Sequence, residues 1–134
     1  MGAPSVQEIF EKYRLLGTWS ADCTKPVSKQ NRHAVYRLLD ADHVQREVLS
    51  DPAIQGSLSL ADRASEAGPN EVAISWVDDH GRTNNVVRME SNRFRLWQST
   101  YGSGEKLVVD GREVDGRPGD LVDQPVRPLM VGWP

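Results

Sequence analysis

Two arginines and one aspartate stand where apolar residues set the pattern. Arg37 lies between Val35 and Leu39, Arg46 lies between Val44 and Val48, and Asp62 continues the run Ile54, Leu58, Leu60. Residues two apart on a strand share a face. Two guanidinium groups and a carboxylate are therefore expected to point inward with the valines and leucines. A buried charge without a partner is prohibitive, and two arrangements meet that constraint. Asp62 can pair internally with an arginine, or the arginines can bind the carboxylate or other anionic head of an apolar ligand, which their bidentate fork suits. In the second arrangement Arg37 and Arg46 hold the head, and Val35, Leu39, Val44 and Val48 line the apolar part of the cavity.

Other chemistry finds little support. His33, His43 and His80 are scattered, with no H-x-H or H-x-x-x-H pair, so no metal site is expected. The single cysteine, Cys23, allows no internal disulfide and reads as a small buried hydrophobe. Ser103 sits between two glycines at a hairpin tip, not on a nucleophile elbow. Phosphate-loop and dinucleotide patterns are absent. No catalytic residue and no cofactor is assigned.

The elements that must position the arginines follow from periodicity. Ser5 and Glu8 form a capping box, and Val6, Ile9, Phe10, Tyr13 and Leu16 recur at helical spacing up to Gly17. This predicts a helix over 5–16, capped by Gly17. Beyond it the period is two: Ile54, Gly56, Leu58 and Leu60 alternate with polar or small residues, as do Val72, Ile74 and Trp76, and then Phe94 and Leu96. Further strands are expected at 18–22, 33–40, 43–50, 84–90 and 105–109. The turn clusters between them are too short for helical crossovers, so the strands meander antiparallel. Trp97 and Tyr101, opposite Phe94, form either a surface for a protein partner or the seat of the helix.

The reading is an all-β, mainly antiparallel domain over 5–114: an up-and-down β-barrel of about eight strands with a short N-terminal helix. Residues 115–134, rich in Gly and Pro, read as an irregular tail. The chain's 134 residues suit one core, and 38% apolar content excludes a disordered chain. Sixteen basic and nineteen acidic residues, a net charge of −3, are spread without the basic stripe of a nucleic-acid binder. No run approaches the ~20 apolar residues of a membrane span.

Leu16-Gly17-Thr18-Trp19, at the junction of helix and first strand, resembles the opening of the lipocalin and calycin barrels. The resemblance implies that Trp19, preceded by Gly17, packs across the closed end of the barrel beneath the helix. The stretch from Leu15 to Pro26 is similar to the start of small uncharacterised exported bacterial proteins, which implies a periplasmic or secreted location after removal of a signal peptide. In such relatives a second cysteine near the C-terminus could pair with the one matching Cys23; this chain has none. Met1-Gly2-Ala3-Pro4 lacks the character of a signal peptide, and a cytoplasmic location is the alternative.

The function expected first is non-catalytic binding of a small apolar or amphipathic, possibly anionic, molecule inside the barrel. A protein-binding module such as a protease inhibitor comes second, because the interior of a barrel of about eight strands can be filled by its own side chains. An enzyme comes third.

Overall fold

The computed structural model describes residues 4–20, 24–90, 93–110, 112–113 and 127–128. Cys23 lies outside them, as does most of the expected tail. Among the described residues one helix, α1 (Val6–Lys12), precedes ten strands: β1 (Gly17–Ser20), β2 (His33–Asp40), β3 (His43–Leu49), β4 (Ser57–Gly68), β5 (Glu71–Asp78), β6 (Gly81–Glu90), β7 (Arg93–Tyr101), β8 (Lys106–Val109), β9 (Arg112–Glu113) and β10 (Arg127–Pro128). They form one antiparallel sheet in the order β10-β1-β2-β3-β4-β5-β6-β7-β8-β9. The chain is thus an all-β meander curled into half a barrel. The tail contributes β10, which pairs with β1 through Trp19↔Pro128 and Ser20↔Arg127.

Ring contacts between non-neighbouring strands define the concave face. Trp19 of β1 meets Phe94 of β7 at 4.6 Å between ring centroids, and Tyr36 of β2 stacks on Phe94 at 6.3 Å. Tyr36 also meets Trp76 of β5 at 5.6 Å. Only a curled sheet brings these strands face to face. Val72, Ile74 and Trp76 all point into this core, as their alternation predicts.

The helix is shorter than expected, and its stop is different. The Ser5–Glu8 capping box forms, but the helix ends at Lys12 rather than Leu16. Arg14 takes the left-handed conformation, with φ 55°. The Leu15 N–H then donates to the Phe10 carbonyl at 2.8 Å, and the Arg14 N–H to the Glu11 carbonyl at 3.1 Å. These bonds and the burial of both Phe10 and Leu15 make a Schellman stop. Gly17, with φ 119°, instead opens β1. The reversal turns Leu15 inward, where its carbonyl accepts from Trp19 Nε1 at 2.8 Å. Phe10 inserts its edge between Tyr36 and Trp76, at 6.1 and 6.2 Å. The helix therefore seats on the aromatic core and not on the Trp97 face, held to the β2–β3 turn by the Gln7 N–H on the Ala41 carbonyl.

Register reverses two of the expected faces. Tyr36↔Arg46, Ala34↔Val48 and Leu38↔Val44 face each other across β2 and β3, so Val35 and Arg37 belong to the convex side. Leu39 falls in the irregularity between Leu38 and Asp40 and is 53% exposed. On β4, Ser57, Ser59 and Ala61 oppose Val48, Arg46 and Val44, leaving Leu58 and Leu60 opposite Glu47 and Gln45 on the convex side. The reason is volume. Ala61 pairs with Trp76, and the concave space is already occupied by large rings, so the strand must offer small residues there. A bulge at Val86/Val87 splits the expected Trp97–Tyr101 face as well, returning Ser99 to the concave side, where its hydroxyl donates to Asn85 Oδ1.

Trp19 is 2% exposed and fastens β1 to both the helix stop and β7. Replacing it with alanine should lower stability by ~3–5 kcal/mol. A urea midpoint close to wild type would show that this ring does not hold the two sides of the sheet together.

Candidate functional site

Arg46 is the feature of the concave face that packing alone does not explain. β3 places it between Tyr36 on one neighbour and Ser59 on the other. Its guanidinium carbon lies 4.2 Å from the Trp76 ring centroid, and its Nη2 donates weakly to Ser59 Oγ at 3.4 Å. Its Nε is enclosed and has no hydrogen-bond acceptor among the described residues. None of the ion pairs found among those residues involves it. Burial raises the pKa of the adjacent Tyr36 phenol, and the nearby guanidinium draws it partly back. Tyr36 therefore stays a neutral hydroxyl at ordinary pH, able to donate or accept.

The other arginine does something else. Arg37 points to the convex side, where Nη1 donates to Glu47 Oε1 at 2.9 Å. Glu47 in turn accepts from the Gly56 N–H at 3.1 Å, and both bonds hold its carboxyl below the usual range. A side chain at Gly56 would collide with the Val48 carbonyl, its Cβ falling only 2.2 Å from that oxygen. Arg37, Glu47 and Gly56 together fix the β3–β4 connection. Asp62 pairs with neither expected arginine: it takes Arg82 in a bidentate bond at 2.8 and 2.9 Å, with Arg82 also donating to Ser75 Oγ.

Of the six residues expected to bind a ligand, Arg46, Val44 and Val48 share the concave face, while Arg37, Val35 and Leu39 do not. Arg37 and Arg46 therefore cannot converge on one anion. The structure adds Tyr36, Ser59 and Trp76 to Arg46. Alternation could have supplied Tyr36, since it stands one residue from Arg37; Ser59 carried no signal apart from the volume argument. Gly17 and Trp19 lie at the first strand, beside the helix stop.

The histidines do not meet. His43 Nδ1 contacts Asp40 at 2.8 Å in the β2–β3 turn, and the His80 backbone N–H donates to Asp78 Oδ1 in the β5–β6 turn. His33 is partly buried near Asn31, and burial lowers its pKa. Among the described residues no group of three or more His, Cys, Asp or Glu could hold a metal. Nor is any described helix long and apolar enough to cross a membrane.

Two outcomes follow from these placements. A desolvated cation–π contact contributes ~2 kcal/mol, and an unsatisfied buried donor costs ~1–3 kcal/mol, so they nearly cancel at Arg46. Arg46→Met, which keeps the packed stem, should unfold within ~1 kcal/mol of wild type; a loss beyond ~2 kcal/mol would make Arg46 a structural residue. At Asp62, the hydrogen bond from Arg82 first, and its charge with it, hold the carboxyl below its ordinary 3.8. A depressed carboxyl contributes stability fully above its unfolded value and loses it as pH falls through the folded one. Asp62→Asn should therefore be less stable than wild type at neutral pH, with the gap closing as pH falls below about 4. Parallel urea midpoints across that range would refute this role.

No family model, curated protein or solved structure matches the chain.

Proposed function

We propose that the protein is a non-catalytic binding module that holds a small apolar or amphipathic molecule against the concave face of its curled sheet. The observation that carries this reading is Arg46. It is a cation on an aromatic-lined face, with no acidic partner among the described residues and one donor unsatisfied. Buried polar groups in native proteins are normally satisfied, and the exceptions call for an explanation. A few placed polar groups in a mainly apolar surround are the usual make-up of a small-molecule site. The likeness of the Gly17–Trp19 opening to lipocalin barrels, and of Leu15–Pro26 to exported proteins, favours the same reading and an exported location.

A second reading, a protein-binding module, draws on the β3–β4 connection and the convex strand face beside it. Ile54 of the connection is 65% exposed, and Leu58 of β4 is 41% exposed. Exposed apolar groups of this kind are where a partner would gain burial.

The test is calorimetric titration of delipidated protein with dodecanoate and with dodecanol, each below its micelle-forming concentration. Saturable binding of either, near one equivalent per chain, is expected. Absence of saturable binding by both would overturn the small-molecule reading.

A further inference from the structure

We infer that the convex face centred on Leu58 and Leu60 of β4 is the interface of a weak homodimer, in which a second copy of the chain lies on the first with its β4 running the opposite way. The inference does not depend on the ligand proposed for the concave face, and it gives the protein-binding reading a specific partner.

The apolar part of the interface follows from register. Leu58 and Leu60 stand opposite Glu47 and Gln45 of β3 on the convex side, and Val77 of β5 faces Leu60. Leu58 is 41% exposed, and Ile54, in the connection that leads into β4, is 65% exposed. That connection cannot fold over the strip. The Gly56 N–H donates to Glu47 Oε2, the Val48 carbonyl leaves no room for a side chain at Gly56, and Asp51 Oδ1 accepts from the Ala53 N–H. Ile54 is thus held as a fixed projection at one end of an apolar strip.

Charge identifies what covers it. On this face Arg37 is matched by Glu47 and Arg82 by Asp62, but Arg63 and Asp51 are not matched. The bulge between Ala61 and Arg63 turns Arg63 out of the concave row and sets it opposite Ser75, on the convex side. Arg63 is exposed, and none of the ion pairs found among the described residues involves it or Asp51. The leucines therefore have an unmatched anion before them in the chain and an unmatched cation after them. A partner of uniform charge satisfies only one of these ends. A second copy satisfies both, because a two-fold axis across β4 reverses the strip against itself. Arg63 of each copy then meets Asp51 of the other, and Ile54 of each lies over the apolar residues of the other.

Size sets the strength. A strip across β3, β4 and β5 is ~10–15 Å wide at ~4.8 Å per strand, and two convex sheets touch over little more than that. The contact falls short of the ~800 Å² per partner of a standard interface, so the dimer forms only near ~100 µM protein.

The experiment is sedimentation equilibrium from ~5 µM to ~1 mM protein, where the mean mass should rise from one chain toward two. Arg63→Glu brings like charges together twice per dimer and should weaken association ~10-fold or more. Asp51→Lys should do the same, and the two changes together should restore it. Leu58→Lys, at an exposed position, should leave the chain monomeric over this range. A urea midpoint for each variant separates lost association from lost folding. Should Asp51→Lys disturb the connection, Asp51→Asn keeps the oxygen that the Ala53 N–H uses and should still weaken the dimer. A single chain at every concentration would overturn the inference. So would a dimer indifferent to Leu58→Lys or Arg63→Glu, or a double exchange that associates no better than either single one. The dodecanoate titration alone decides the concave-face reading.

Discussion

The arrangement turns on one insertion: the Phe10 ring between Tyr36 and Trp76, completely removed from solvent. A helix of a single capped run is marginal by itself, so α1 persists because its apolar side has a seat. The sheet, for its part, has strands whose rings would be exposed if it lay flat. Edge-on aromatic pairs contribute ~0.5–1.5 kcal/mol each beyond area burial, and Phe10 makes two. Tyr36 and Trp76 come from strands separated by two others in the sheet, so the contact that seats the helix also sets the curl.

Volume on the concave face is then rationed by these rings. Trp76 leaves room only for Ala61 opposite it, and the guanidinium of Arg46 leaves room only for Ser59. Small residues there are a consequence of large ones elsewhere. The leucines of β4 cannot fit inside and take the convex side, where Glu47 and Gln45 face them. The Schellman stop belongs to the same logic, since the reversal at Arg14, just past the helix end, directs Leu15 and then Trp19 into the core rather than along a further helical turn.

Much of this was legible in the residues, and the failures share a cause. β2 runs over the 33–40 that its composition predicts, and the Asp40–Asp42, Gly68–Asn70 and Asp78–Gly81 turns fall where their compositions place them. The buried side of Val72, Ile74 and Trp76 was also readable, because a large apolar residue repeats at every second position. Alternation misleads where it has two self-consistent phases. Ser57-Leu58-Ser59-Leu60-Ala61 is an amphipathic strand either way round, and only the three-dimensional neighbours decide that serine and alanine go inside. Arg37 and Arg46 each stood between apolar residues, yet hairpin register sets them on opposite sides, as a one-residue slip always does. A helix stop at a non-glycine left-handed residue such as Arg14 carries no compositional sign at all.

Register puts the two arginines in opposite electrostatic surroundings. On the convex side, Arg37 has Glu47, Arg82 has Asp62 and Arg88 has Glu71, although pairs open to solvent contribute little to stability. On the concave side, where the surroundings are apolar and a counter-ion would count for most, Arg46 has none among the described residues. If stability alone governed the placement of charge, the distribution would be the reverse. A methionine or leucine at that position would pack beside Trp76 without a stranded donor. The enclosed Nε of Arg46 is thus a cost that the packing of the concave face does not itself offset, and the cation–π contact with Trp76 is what stands against it.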